Sequence, residues 1–119
     1  LLVLGHGGDR FRDHRPALGA VASGVADEIV ITMDNPRSED PADIAGQIAA
    51  GIIGEEVGCH TILDREEAIR FALSISTHGD AVLVAGKGPE KYIIVGDKRF
   101  PHDDSEAIRR WIAERGSWE

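Results

Sequence analysis

A single cysteine, Cys59, in a chain of 119 residues leaves no internal disulfide to be made. Long apolar runs are missing as well: nothing approaches the roughly 18 residues of a bilayer-crossing helix, and no signal-peptide pattern is present. A reducing cytoplasm is the compartment these absences lead one to expect. Basic residues are the minority, 13 against 21 acidic, and the resulting charge of -8 argues against nucleic acid or an anionic membrane as partner. Both need a basic face that releases counterions. There is also no initiator methionine before Leu1-Leu2-Val3-Leu4, so a piece of a longer polypeptide is expected.

Several catalytic signatures are lacking. A Walker A loop needs glycine at its start and a hydroxyl after Gly-Lys, but Ala81 stands at the first place and Gly88 at the second. A dinucleotide fingerprint fails because Gly5-His6-Gly7 is followed, after two residues, by Arg10. No Gly-x-Ser-x-Gly elbow occurs, and Cys59 has no motif around it. His6, His14, His60, His78 and His102 show no metal-ligand spacing, so no metal site is assigned.

What remains is 42% hydrophobic with 14 glycines and 5% aromatics, the make-up of an aliphatic-cored α/β protein. The length suits one domain, residues 1–119, with a modest core. Leu1–Leu4 is an apolar run stopped by Gly5, Gly7 and Gly8, which predicts a strand buried on both faces. Leu18, Val21, Ala22 and Val25 recur at helical spacing from Arg15 to Ala26, with Pro16 tolerated in the first turn. Glu28–Thr32 predicts a second buried strand. Asp40-Pro41 supplies an N-cap and a first helical residue for Ala42–Ala50.

Further along, His60–Leu63 predicts a strand, Arg65–Ser76 a helix and Ala81–Ala85 another strand. Tyr92–Val95 and Arg99-Phe100 flank Gly96-Asp97, a hairpin turn signal, and Asp104 opens a last helix through Ile108, Trp111 and Ile112. Alternating strand and helix predict a Rossmann-like three-layer sandwich. Its mostly parallel sheet should have about five or six strands, helices on both faces and a C-terminal hairpin.

Three charged loops follow three of these strands: Gly8-Asp9-Arg10, Asp34-Asn35-Pro36-Arg37 and Gly86-Lys87-Gly88-Pro89-Glu90. In an open α/β sheet, ligands collect beyond the carboxyl ends of the strands, so these loops are expected to face one site. Arginine grips a carboxylate through parallel hydrogen bonds, while Asp and Glu accept from an ammonium, so the set suits a small zwitterion. Plainer readings exist for each loop. Asp34 to Arg37 also makes an ordinary turn, in which Pro36 pushes Asn35 towards an extended backbone. Arg10 reads equally as a surface arginine beside Asp9 or Asp13, and Lys87 suits either a surface lysine or a phosphate neighbour.

These motifs, with Arg15-Pro16, Asp64-Arg65 and Ala68-Ile69, occur in the order found in the C-terminal domain of the Mur ligases. Nearly the whole chain resembles that domain in the UDP-N-acetylmuramoyl-tripeptide synthetases that add meso-diaminopimelate. The stretch from Asp34 to Pro41 is the most specific part. The resemblance implies an ATP-dependent, amide-forming ligase of peptidoglycan synthesis, with N-terminal UDP-binding and central ATPase domains outside this chain. It implies that ATP and Mg2+ are bound mainly by the central domain. It also implies that Arg10, Asp34, Asn35, Pro36, Arg37, Gly86 and Glu90 bind the incoming amino acid, with no catalytic residue here.

Relatives that add lysine usually lack an arginine at the Arg37 position, which ties Arg37 to the second carboxylate of diaminopimelate. His14 and Lys87 are the nucleotide-side candidates. The chain departs from the family pattern at Phe11, where Asp is usual, at His14, where Lys is usual, and at Pro89, where His is usual. Alternative readings are a ligase adding lysine, one acting on a pseudomurein-like precursor, and a non-catalytic metabolite-binding module.

Overall fold

The computed structural model describes residues 1–54 and 56–115. Among the described residues ten regular elements follow one another: β1 (Leu2–Leu4), α1 (Arg15–Val25), β2 (Glu28–Ile31), α2 (Pro41–Ala49), β3 (Gly58–Thr61), α3 (Arg65–Ile75), β4 (Leu83–Val84), β5 (Tyr92–Val95), β6 (Lys98–Pro101) and α4 (Asp104–Arg115). A 3-10 turn, Arg12–His14, leads into α1.

The central sheet is parallel and four-stranded, in the order β3-β2-β1-β4. The described residues carry the expected strands, but β5 and β6 form a separate antiparallel pair. Val95 pairs with Lys98 across Gly96-Asp97, and Gly96 has φ +62, a left-handed value that glycine adopts without steric cost. Two strands also differ in extent from the reading of the sequence. The third begins at Gly58 and ends at Thr61, and the fourth narrows to Leu83–Val84.

Alternation along β1 and β2 builds a core on each face. Val3 and Val30 meet Ala68, Ile69, Ala72 and Leu73 of α3 and Ala107 and Trp111 of α4. Leu4, Ile29 and Ile31 meet Ala22 of α1 and Ile44, Ala45 and Ile48 of α2. Both faces of the middle strands are therefore apolar, which is why they read as unbroken hydrophobic runs. The helices begin where their caps dictate: Asp40 accepts from the Ala42 amide at 2.8 Å, and Asp64 from the Glu67 amide at 2.9 Å. α1 and α2 cross closely because Gly19 has no side chain; a Cβ there would lie 2.0 Å from the Ile48 carbonyl oxygen. No helix among the described residues is long and apolar enough to cross a membrane.

Candidate functional site

Each strand of the central sheet delivers its following loop to the same edge. The loop after β2 is fixed most tightly. Asn35 is buried, its carbonyl accepts from the Gly8 amide at 2.9 Å, and its Oδ1 accepts from the Ile94 amide at 2.9 Å. These ties, on either side of the residue, hold Asn35 at φ +40 and not in the extended conformation that a following proline favours. Asparagine is among the residues that tolerate this region best.

Arg37 is also left-handed, at φ +53, and the hairpin holds it there: its amide donates to Ile94 O at 3.0 Å and its carbonyl accepts from the Gly96 amide at 2.6 Å. This is an isolated parallel bridge between Arg37 and Val95. The hairpin thus acts as a brace for the loop after β2. The Arg37 side chain turns to the loop after β1 and donates through Nη1 to Gly8 O at 3.0 Å. The rest of its half-buried guanidinium has no hydrogen-bond partner among the described residues.

Lys87 lies at the centre. It is one of the largest fully buried side chains, which removes the surface-lysine reading. Its Nζ donates to Asp34 Oδ1 at 3.0 Å, Asn35 Oδ1 at 2.7 Å and Glu90 Oε1 at 2.7 Å, and lies 5.8 Å from the centre of the Tyr92 ring. Asn35 Nδ2 donates to the same Glu90 oxygen at 3.2 Å. Lys87's hydrogen bond holds the Glu90 carboxyl below its ordinary range against the opposing effect of burial, and the charge of Lys87, the Asn35 amide and Arg37 add to the lowering. Gly86 has φ +101, and a Cβ on it would sit 3.1 Å from Asp34 Oδ2, so glycine keeps this side of the carboxylate open.

The structure therefore brings Asp34, Asn35, Gly86 and Glu90 together, with Arg37 beside them. Pro36 is buried in the same loop, its carbonyl accepting from the Glu39 amide at 3.0 Å. Arg10 is set apart. It is exposed between two left-handed residues, Asp9 at φ +59 and Phe11 at φ +42, and makes no hydrogen bond or ion pair among the described residues. Asp9 does not pair with it: its carboxylate accepts from the Ser38 hydroxyl at 2.5 Å and is held below its usual range by that bond. His14 is exposed and stacks with Phe11, ring centres 5.4 Å apart and planes 6° from parallel. Pro89 is exposed in the turn closed by the Glu90 amide and Lys87 O at 3.2 Å.

Two buried arginines that the motif reading left without roles hold this edge together. Arg15 donates to both carboxylate oxygens of Glu39, at 2.9 and 2.7 Å, to Gln47 Oε1 at 2.8 Å and to Gly7 O at 3.0 Å. Those bonds pull the Glu39 pKa from 4.5 down to about 2. Arg65 pairs with Asp104 at 2.8 and 2.9 Å and donates to Met33 O at 3.1 Å and Ala85 O at 3.0 Å. Met33 and Ala85 are the residues just before Asp34 and Gly86, so one guanidinium sets the exit points of two site loops. The only sequence signal for either arginine was its place in a motif, Arg15-Pro16 or Asp64-Arg65.

The model of the family described as Mur ligase, glutamate ligase domain, matches residues 1–88. The chain belongs to the Mur ligase family. A UDP-N-acetylmuramoyl-L-alanyl-D-glutamate--2,6-diaminopimelate ligase of Caldanaerobacter subterraneus subsp. tengcongensis is 46% identical over 114 residues, which is 96% of this chain and 24% of that protein. The ligase of the same name from Geobacillus kaustophilus is 47% identical over 116 residues, 97% of this chain and 24% of the relative. A solved structure, also titled as that ligase, superposes with a TM-score of 0.91 at 38% identity, over 97% of this chain and 24% of the other. This Mur ligase chain thus spans about a quarter of the length of the curated relatives it matches.

Proposed function

We propose that this chain is the C-terminal domain of a longer ATP-dependent ligase that adds meso-diaminopimelate to UDP-N-acetylmuramoyl-L-alanyl-D-glutamate in peptidoglycan synthesis. The observation that carries the reading is the meeting of Asp34, Asn35 and Glu90, from loops 55 residues apart in sequence, within hydrogen-bond reach of one buried ammonium and beside Arg37. Such a set offers carboxylates to an amine and a guanidinium to a carboxylate. The relatives named above, all diaminopimelate ligases by title, supply the substrate class.

The work assigned to this domain is positioning. Asp34 and Glu90 accept from the ammonium of the incoming amino acid, the Gly86 carbonyl accepts a further hydrogen bond from it, and Arg37, with Arg10, holds carboxylate. Fixing an amine against an activated carboxyl converts an encounter into an intramolecular attack, worth about 7 to 11 kcal/mol at best. Among the described residues no group of three or more His, Cys, Asp or Glu side chains is arranged to hold a metal ion, and the chain has no Walker A loop. As the family resemblance implies, ATP and Mg2+ are assigned to the central domain, with His14 a candidate here for the nucleotide side. Closure of this domain on that one would complete the site and exclude water.

The test is ligation by the full-length protein, with meso-diaminopimelate and L-lysine as competing amino acids and the UDP-linked muramoyl dipeptide as acceptor. Preference for diaminopimelate is the expected result. Equal use of both would favour the broader ligase reading, and no ATP-dependent ligation of either would favour a metabolite-binding module. The isolated chain is expected to hydrolyse no ATP.

A further inference from the structure

The carboxylates of Asp34 and Glu90 are each used on one side only. Asp34 gives Oδ1 to Lys87, and its Oδ2 lies against the open backbone of Gly86. Glu90 gives Oε1 to Lys87 and Asn35, and its Oε2 has no hydrogen-bond partner among the described residues, on a side chain 41% exposed. Asn35 is committed inward, with Oδ1 taken by Lys87 and by the Ile94 amide. Lys87 itself is spent: its ammonium is fully buried and its donors go to Asp34, Asn35 and Glu90.

From this geometry we infer that Lys87 is a positioning residue for amine recognition, a tethered ammonium that ties one oxygen of Asp34 and of Glu90 inward and leaves the second oxygen of each to the ligand's amine. The inference rests on the amino-acid-positioning reading above. Its physical basis is repulsion between like charges. Without a cation between them, two carboxylates converging on one point turn apart or take up a proton, and neither arrangement presents paired acceptors. The ammonium is compact and on a flexible stem, so it can satisfy acceptors from different loops where a planar guanidinium could not.

The full-length protein tests this through Lys87→Met, which keeps most of the length of the side chain and removes the charge. The expected result is a rise of about tenfold or more in KM for meso-diaminopimelate with KM for ATP changed less than about twofold. A Lys87→Met, Glu90→Gln double variant should lose less than the product of the two single losses, since both changes act in part through the Glu90 carboxylate. With Lys87→Ala, millimolar propylammonium, which replaces the deleted atoms, should recover part of the lost affinity.

An unchanged KM for the amino acid overturns the role of Lys87, as does an equal rise in both KM values or additivity in the double variant. A Lys87→Met protein that does not fold, together with a Lys87→Ala protein that propylammonium does not restore, also overturns it, leaving Lys87 a structural residue. A wild-type protein that ligates no diamino dicarboxylic acid removes the positioning reading itself. That outcome is separate from a competent wild type whose Lys87 variant is unaffected.

Discussion

Arg37 donates through Nη1 to the carbonyl oxygen of Gly8 at 3.0 Å, and the amide of Gly8 donates in turn to the neighbouring carbonyl of Asn35 at 2.9 Å. The loop after β1 and the loop after β2 are thus laced backbone to backbone, and the arginine is aimed by the same lacing. Loops carry binding groups well when a rigid scaffold fixes them, and here the scaffold extends into the loops.

Gly8 should therefore be among the least replaceable residues of the chain. A Cβ added to it would lie 1.7 Å from the Pro36 carbonyl oxygen, a backbone atom with no room to give way. Gly8→Ala should cost about 1–3 kcal/mol through overpacking and backbone displacement. Thermal melting measures it, with Gly46→Ala as comparison because an added Cβ there meets nothing within 4 Å. Equal melting temperatures for the two variants would contradict the close lacing of the loops.

Arg65 sits under the site with no exposed side-chain surface, paired with Asp104. Removing one partner of such a pair strands a buried charge, and Arg65→Ala is expected to lose about 3–5 kcal/mol of stability. Arg109→Ala, which breaks a 3.5 Å contact to Glu106 between side chains 72% and 51% exposed, should change stability by less than about 1 kcal/mol. Urea denaturation of both variants gives the comparison directly. Comparable midpoints would mean that the Arg65 network does not hold the edge of the sheet.

Acid should loosen the same region in a definite window. Arg15's hydrogen bonds hold Glu39 at about 2, below its ordinary 4.5, so the folded state favours the ionised form. A lowered carboxyl contributes stability that is fully present above its unfolded value and is lost as pH falls through the folded one. The Arg15–Glu39 contribution is thus intact above about pH 4.5 and fades between there and about pH 2. Urea midpoints measured across that window should fall less steeply for Glu39→Gln than for the unaltered chain. Parallel slopes would assign the acid sensitivity to other carboxylates, among them Asp104, whose burial alone would raise its pKa but which Arg65 and His102 hold low.

Much of this arrangement is legible in the residues, and the part that is not has a physical cause. Asp40-Pro41 marks the start of α2 because capping and the missing proline N–H act within a few residues. The apolar runs at Leu2–Leu4 and Ile29–Ile31 mark buried strands because period and burial are local properties. The convergence of the three loops follows from the parallel sheet. What the pattern hides is partnership across long separations. Lys87, between two glycines, looks like a turn lysine, yet acceptors 52 and 53 residues away bury it. Arg15 and Arg65 look like helix-start cations, yet each binds loops from distant strands. Asn35 departs from the extended backbone that its proline neighbour favours because hydrogen bonds to Gly8 and Ile94 outweigh that local preference.

Arg37 is the residue on which amino-acid choice should turn. Its backbone is pinned on both sides by the hairpin, so replacing the side chain should leave the loop in place. Its guanidinium spends one hydrogen bond on Gly8 and has the remainder to offer a carboxylate. Loss of a charge-assisted hydrogen bond costs about 1.5–3 kcal/mol, roughly a 10- to 100-fold rise in KM. Arg37→Ala in the full-length protein should raise KM for meso-diaminopimelate by that factor. The KM for L-lysine, which lacks the second carboxylate, should shift little. The preference between the two substrates should therefore collapse, while the stability of the domain falls only slightly. If both amino acids weakened equally, the arginine would be serving the carboxylate they share, and discrimination would have to come from another part of the ligase.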